Sequence, residues 1–180
     1  MSIRDRVNTA RHVSIVPIAP EHIEGYHRAL DTVARERRYL AFVEALPLAQ
    51  SQEFVLNNIK SGNPHFVALR EGEVVGWCDI RRHFVPSLAH RGTLGMGVIS
   101  TYRGLGVGFR VLNAALDAAF EVGIVRVELE VFADNSPAIA LYDKVGFTRE
   151  GVTRDAVCID GEYRDAIAMA IVRRTKASQC

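Results

Sequence analysis

The sequence predicts one α+β domain with an α/β-like, three-layer build: a mixed, mostly antiparallel sheet of about six to seven strands flanked by helices. Three observations predict it. The chain has 180 residues, 48% hydrophobic and 24% charged, which suffices for one packed core and leaves little room for a second. Short strand-like runs alternate with helical periodicities through the middle of the chain. Two strand-like segments close it, joined through Asp160-Gly161, a strong hairpin signal.

In order, residues 12–18 read as a strand, and Pro20-Glu21 opens a helical stretch with Ile23, Tyr26, His27 and Leu30 at helical spacing. Two further helices are expected at 35–46 and 49–59, where Tyr39, Phe42, Val43 and Leu46, then Phe54, Val55 and Ile59, form apolar stripes. Ser61-Gly62-Asn63-Pro64 stops that run, and strands at 65–69 and 74–80 flank a turn at Glu71-Gly72. A glycine-containing strand at 91–99 precedes a glycine-rich segment and a long helix over about 105–122. A strand at 126–132, a helix at 137–144 and strands at 147–159 and 162–172 complete the order. The domain is expected over 11–173, with flexible tails at 1–10 and 174–180.

Composition narrows the function. Lys plus Arg is 22 and Asp plus Glu is 21, a formal charge of +1, so no large basic field is available to grip nucleic acid. Cys78, Cys158 and Cys180 are scattered and odd in number, which argues against a zinc site or a disulfide framework and for a reducing, cytoplasmic setting. The histidines show no metal-ligand spacing, so no metal is expected. Residues 1–11 are polar where a secretory signal is apolar, and no run is long enough to span a bilayer, so no membrane partner is expected.

Tyr102-Arg103-Gly104-Leu105-Gly106-Val107-Gly108 lies between a strand and a helix whose apolar positions include Val111, Leu112, Ala115, Leu116 and Ala119. Glycines allow close backbone approach, and the helix's first turn offers free N–H groups and a positive dipole end. That combination suits a phosphate or pyrophosphate, with Arg103 and Arg110 adding positive charge. A flexible turn with close helix packing has the same spacing. A P-loop is excluded, because no Gly-Lys-Ser/Thr run exists. A dinucleotide fingerprint fits poorly, since the spacing is G-x-G-x-G and follows several strands.

In the strand at 126–132, alternation puts Val127, Leu129 and Val131 on one face and Arg126, Glu128, Glu130 and Phe132 on the other. Two carboxylates therefore share one side of the sheet, either as a solvated face paired with Arg126 or as candidates for proton transfer. Asn135, before Ser136-Pro137, is placed to cap the helix that follows. Cys78 has no histidine partner indicated and reads as a buried structural thiol.

Arg103, Gly106 and Gly108 match Q/R-x-x-G-x-G/A, and Asn135, Ala138, Leu141, Tyr142, Gly146 and Phe147 match N-x-x-A-x-x-L-Y-x-x-x-G-F. One helix and one strand separate the two motifs. The chain thereby resembles the GNAT superfamily of acetyl-CoA-dependent N-acetyltransferases over about 12–173, least before residue 65. It is closest to small bacterial amino-acid and phosphinothricin-type members. The resemblance implies the GNAT fold, acetyl-CoA as cosubstrate and a primary amine of a small molecule, an amino acid or analogue, as acceptor, with direct transfer in a ternary complex.

It also implies roles for residues. Backbone amides of Gly104, Gly106, Val107, Gly108 and Phe109 would hold the pyrophosphate with Arg103, while Met96 and Val98 would pair with the pantetheine arm and Asn135 would contact it. Glu130, five residues before the asparagine, would accept the amine's proton directly or through water, with Glu128 the fallback and Asp79 a third candidate. Tyr142 would protonate the departing thiolate. The acceptor pocket would draw on Arg37, Tyr39, Glu44 and Tyr163. Family members are often homodimers. Two other readings of the same motifs are a protein N-terminal or lysine acetyltransferase and a non-catalytic acyl-CoA sensor; the presence of both Glu130 and Tyr142 speaks against the sensor.

Overall fold

The computed structural model describes residues 12–174; the expected tail at 1–10, and that at 174–180 apart from its first residue, lie outside it, as does Cys180. Seven strands form one sheet: β1 (Val13–Pro17), β2 (His65–Arg70), β3 (Glu73–Arg82), β4 (Arg91–Val98), β5 (Arg126–Phe132), β6 (Thr148–Ile159) and β7 (Glu162–Val172). Their spatial order is β1-β2-β3-β4-β5-β7-β6, and every neighbouring pair is antiparallel except β4–β5. Among the described residues, four α-helices flank the sheet: α1 (Ile23–Ala34), α2 (Leu48–Lys60), α3 (Val107–Glu121) and α4 (Ser136–Val145). None of the described helices is long and apolar enough to cross a membrane.

The closing hairpins form where their turns demand left-handed backbone. Glu71 and Gly72 have φ of 51° and 85°, and Asp160 and Gly161 have 54° and 82°. Two consecutive residues of positive φ match the twist of the strands they join.

Alternation then sorts the side chains. Trp77 and Val67 face α1 and α2, where they pack with Tyr26, Val33 and Val55. Cys78 and Ile80 face the other way, into a core with Leu112, Leu116, Val127, Leu129 and Met169 beneath α3 and α4. Val107, Val111, Leu112, Ala115, Leu116 and Ala119 form the buried stripe of α3. Each fully buried Val or Leu contributes roughly 1.5–3 kcal/mol relative to exposure. That packing fixes α3, and with it the loop that opens it.

The helix expected at 35–46 does not form. Arg37 takes φ of 53° directly after the final turn of α1, which ends the helix, and the following residues to Pro47 run irregularly. Asp31 stabilises that path: its carboxylate accepts from the Ala45 N–H at 2.9 Å and from Arg35 Nε at 2.7 Å. Phe42 and Leu46 of the supposed apolar stripe are half-exposed. Tertiary contacts override a periodicity that local sequence reading takes for a helix.

Candidate active site

β4 and β5 share only three rungs, Arg91 with Arg126, Gly92 with Val127 and Thr93 with Glu128. Beyond them β4 stays paired to β3 as far as Val98, and β5 stays paired to β7 as far as Phe132. The two inner edges therefore part into a V. The Ile99 N–H donates to the Val75 carbonyl, so by the alternation of an antiparallel ladder Met96 and Val98 turn their own N–H and C=O groups away from β3 and into the V. Such an edge is a template for another extended chain. The Val98 carbonyl is already engaged, accepting from Arg103 Nε at 2.7 Å. Glycine is required at Gly97, where a Cβ would lie 2.3 Å from Trp77 Cη2, so the indole covers the strand directly.

At the mouth of the V lies the glycine loop. Gly104 and Gly106 have φ of 72° and 78°, and a Cβ at either would meet nothing within 4 Å. The space is open and the backbone conformation is one that side chains disfavour. Gly106 is the N-cap of α3, and the first bond into this turn runs from the Arg110 N–H to the Gly106 carbonyl at 3.1 Å. The N–H groups of Val107, Gly108 and Phe109 are thus left without helical acceptors at the positive end of the helix dipole. A Cβ on Gly108 would sit 3.4 Å from Leu141 Cδ2, 3.6 Å from Met96 Cε and 3.7 Å from Val98 Cγ2. Loop, α4 and β4 meet there, so the cradle and the V are continuous.

Arg103 is committed elsewhere than expected. Besides Val98 it donates to both carboxylate oxygens of Glu36, at 2.7 and 2.6 Å, and its guanidinium lies 4.5 Å over the Tyr39 ring. A different cation reaches the loop: Lys144 Nζ, in the last turn of α4, is 4.9 Å from the ring of Phe109. Sequence reading passes it over because a lysine closing a helix is explained by the dipole alone.

From the α3–α4 side, Tyr142 enters the core beneath the V, its ring 5.6 Å from Phe147. Burial, and behind it the nearby Cys78, pushes the phenol above its ordinary range and keeps it protonated. Cys78 is fully buried and its thiol is pushed up by burial, so it is inert as a nucleophile. Asn135 caps α4, its Oδ1 accepting from the Ala138 N–H at 3.3 Å.

The opposite face carries the carboxylates. Glu128 accepts from Arg91 at 2.7 Å and Arg126 at 2.9 Å and lies 3.2 Å from His83 Nε2. Burial alone would raise its pKa, but the hydrogen bonds from Arg91 and Arg126 outweigh that and hold it below the usual range. A carboxylate so held is a weaker base than one without such partners. Glu130 is exposed and accepts from Thr153 Oγ1 at 3.3 Å. Asp79 is 3% exposed, its Oδ2 3.5 Å from Arg81 Nε.

Above that face the irregular segment after α1 reaches the β6–β7 tip. Arg37 makes a bidentate ion pair with Asp160, and Arg164 donates to the Arg38 carbonyl at 3.5 Å. This strap ties the end of α1 to the β6–β7 turn. Of the residues expected around an acceptor, Arg37 is in the strap and Tyr39 at its root under Arg103. Glu44 instead turns to Arg35 at 3.4 Å, and Tyr163 is 69% exposed on the hairpin.

The sequence model of the Acetyltransferase (GNAT) family matches residues 26–147, a span that holds the parted strands, the glycine loop and α4. The chain belongs to the GNAT family. It is therefore an acetyltransferase, and its relatives carry that chemistry in their names. An L-amino acid N-acetyltransferase of Escherichia coli is 34% identical over 115 residues, covering 63% of this chain and 71% of that one. An N-alpha-acetyltransferase of Sulfurisphaera tokodaii is 38% identical over 136 residues, covering 70% and 80%. The fold is shared with a phosphinothricin acetyltransferase from Sinorhizobium meliloti solved with acetyl-CoA, at a TM-score of 0.86 and 15% identity over 93% of this chain and 92% of that one.

In this GNAT chain the fold brings Met96, Val98, Gly104, Gly106, Val107, Gly108 and Phe109 to one continuous groove, with Tyr142 beneath it and Glu130 on its far face.

Proposed function

We propose that this GNAT enzyme transfers the acetyl group of acetyl-CoA to a primary amine of a small molecule, an amino acid or analogue, by direct attack in a ternary complex. The observation that carries the reading is the parting of β4 from β5 at the place where the glycine loop opens α3. Free amides at a helix start suit a pyrophosphate, and an unpaired strand edge suits an extended amide-bearing arm. Acetyl-CoA has both in sequence.

The amides of 104–109 hold the pyrophosphate, with Lys144 as nearby positive charge, and Met96 and Val98 pair with the arm while Asn135 anchors the α4 side. An amine attacks a thioester only when neutral, and an alkylammonium near pH 7 has no lone pair to offer. Glu130, exposed to water, accepts that proton directly or through water. Tyr142 serves the sulfur. Because burial makes its phenol a weaker acid, it first donates a hydrogen bond to the developing thiolate and yields the proton as charge grows there.

The strap from Arg37 to Asp160 ties the segment after α1 to the β6–β7 turn, and a site closed in this way suits a small acceptor better than a peptide. The Sulfurisphaera tokodaii relative named for N-alpha-acetylation keeps peptide N-termini as the second reading. Thiol release from acetyl-CoA, measured with free amino acids, spermidine and short peptides, separates the two. Turnover confined to peptides refutes the small-molecule reading, and none on any amine refutes transfer altogether.

A further inference from the structure

Behind the acceptor face lies a row of polar groups that this mechanism leaves unused. His65 on β2 and Asp79 on β3 are register partners, and so are Asp79 and Gly95 on β4. Paired residues share a face, so the row leads from the core under α1 and α2 to the inner edge of the V, on the side that carries Glu128 and Glu130. A Cβ on residue 95 would sit 3.2 Å from Asp79 Oδ1. The carboxylate thus lies against Gly95, two residues past the last rung between β4 and β5 at Thr93.

Its surroundings are those of an acceptor kept ready rather than a structural anchor. Asp79 is buried, yet no described residue donates a hydrogen bond to it within normal distance, and its one ion pair is the 3.5 Å contact to Arg81 Nε. Arg81 is half-exposed and rests over the Phe54 ring at 5.5 Å. From α1 comes Tyr26, whose phenol is pushed up by burial and then by Asp79, and from β2 comes His65, whose buried Nε2 has no partner among the described residues. Burial holds His65 neutral at a pKa of about 3, so it competes for no proton. Buried carboxylates that serve structure are normally hydrogen-bonded.

The proton balance of the proposed reaction asks for such a group. An ammonium R–NH3+ and a thioester give R–NH–acetyl, a thiol and one H+. Nitrogen sheds one proton before it attacks and a second after the C–N bond forms, while the C–S bond breaks and sulfur gains one. Glu130 at the exposed rim serves the first loss. The second occurs with nitrogen bonded to the carbonyl carbon inside the V, away from the rim.

We propose that Asp79 is a second proton acceptor for the substrate nitrogen, on the β4 side of the V opposite Glu130. This deepens the transfer reading and rests on it. Burial raises the Asp79 pKa to about 7, with Arg81 opposing, so the group takes up a proton near neutral pH.

The test is the pH dependence of kcat for wild type, Asp79→Asn and Arg81→Gln, on whichever of free amino acids, spermidine or dipeptides turns over fastest. Asp79→Asn, an isosteric change, is expected to lower kcat roughly a hundredfold at pH 8 and to abolish an acid limb near pH 7, with acetyl-CoA affinity and melting cooperativity retained. Arg81→Gln removes the opposing cation and moves the limb to higher pH, an effect a structural role does not produce. An Asp79→Asn profile that keeps the wild-type limb overturns the proposal, whatever its height, as does an unmoved limb in Arg81→Gln. Wild-type protein that binds acetyl-CoA but acetylates none of these amines overturns the transfer reading itself, and the role of Asp79 with it.

Discussion

Asp79 also makes a prediction about stability that needs no substrate. In the unfolded chain its pKa returns to 3.8, whereas burial raises it to about 7 in the fold. Between those values the folded state holds a proton that the unfolded state has released, so stability falls as pH rises from about 4 to about 7 and then levels off. Asparagine carries no such cost. The difference between 3.8 and about 7 corresponds to roughly 4 kcal/mol. The part of this cost that appears between pH 5 and pH 8 is roughly 2–3 kcal/mol. Urea denaturation of wild type and Asp79→Asn at both pH values measures this as the change in their stability gap, which cancels any pH-independent effect of the substitution. The variant is expected to gain on wild type at pH 8 by that amount. Parallel stabilities at the two pH values refute the reasoning, because they mean that the carboxylate is not buried as described.

Three further outcomes are expected. Tyr142→Phe lowers kcat by roughly ten- to a hundredfold with acetyl-CoA affinity preserved, read by steady-state kinetics and calorimetry; unchanged kcat with chemistry rate-limiting removes Tyr142 from the reaction. Gly97→Ala forces a methyl to 2.3 Å from the Trp77 ring and destabilises by roughly 1–3 kcal/mol in thermal or urea denaturation, whereas unaltered stability shows that β4 and the indole are not in contact. Arg37→Ala unties the strap from Asp160: the acceptor KM rises while the acetyl-CoA KM and the melting temperature hardly move, since an exposed pair adds little to stability. A changed acetyl-CoA KM counts against an acceptor-side strap.

Much of the fold is legible in the sequence because its signals are local. Asp160-Gly161 and Glu71-Gly72 name their hairpins through the positive φ they tolerate, and the strand at 126–132 declares both its bounds and its faces. The glycine-rich segment marks where α3 opens, and the structure adds that Gly104 and Gly106 take left-handed backbone there. What stays hidden depends on residues distant in sequence. The segment 35–46 has helical periodicity, yet Arg37 leaves the helix to meet Asp160, 123 positions away. Arg103 has the residue type expected at a pyrophosphate, but Glu36 and Val98 engage its guanidinium. In the sequence only the offset from Asn135 distinguishes Glu130 from Glu128, whereas the structure also separates them through Arg91 and Arg126, which hold one and not the other. Asp79 gains its character from burial and from the missing side chain of Gly95, neither of which its own neighbours in sequence announce.

The groove formed by the glycine loop and the parted strands is tested most directly by calorimetric titration of acetyl-CoA into wild type, Gly106→Ala and Gly106→Glu. Both substitutions impose the same left-handed strain at φ of 78°, so only the carboxylate distinguishes them. Wild type is expected to bind, alanine to bind more weakly, and glutamate to lose at least a further tenfold as its charge meets the pyrophosphate. Equal affinity in the two variants, or no heat of binding in the folded wild-type protein, contradicts the account.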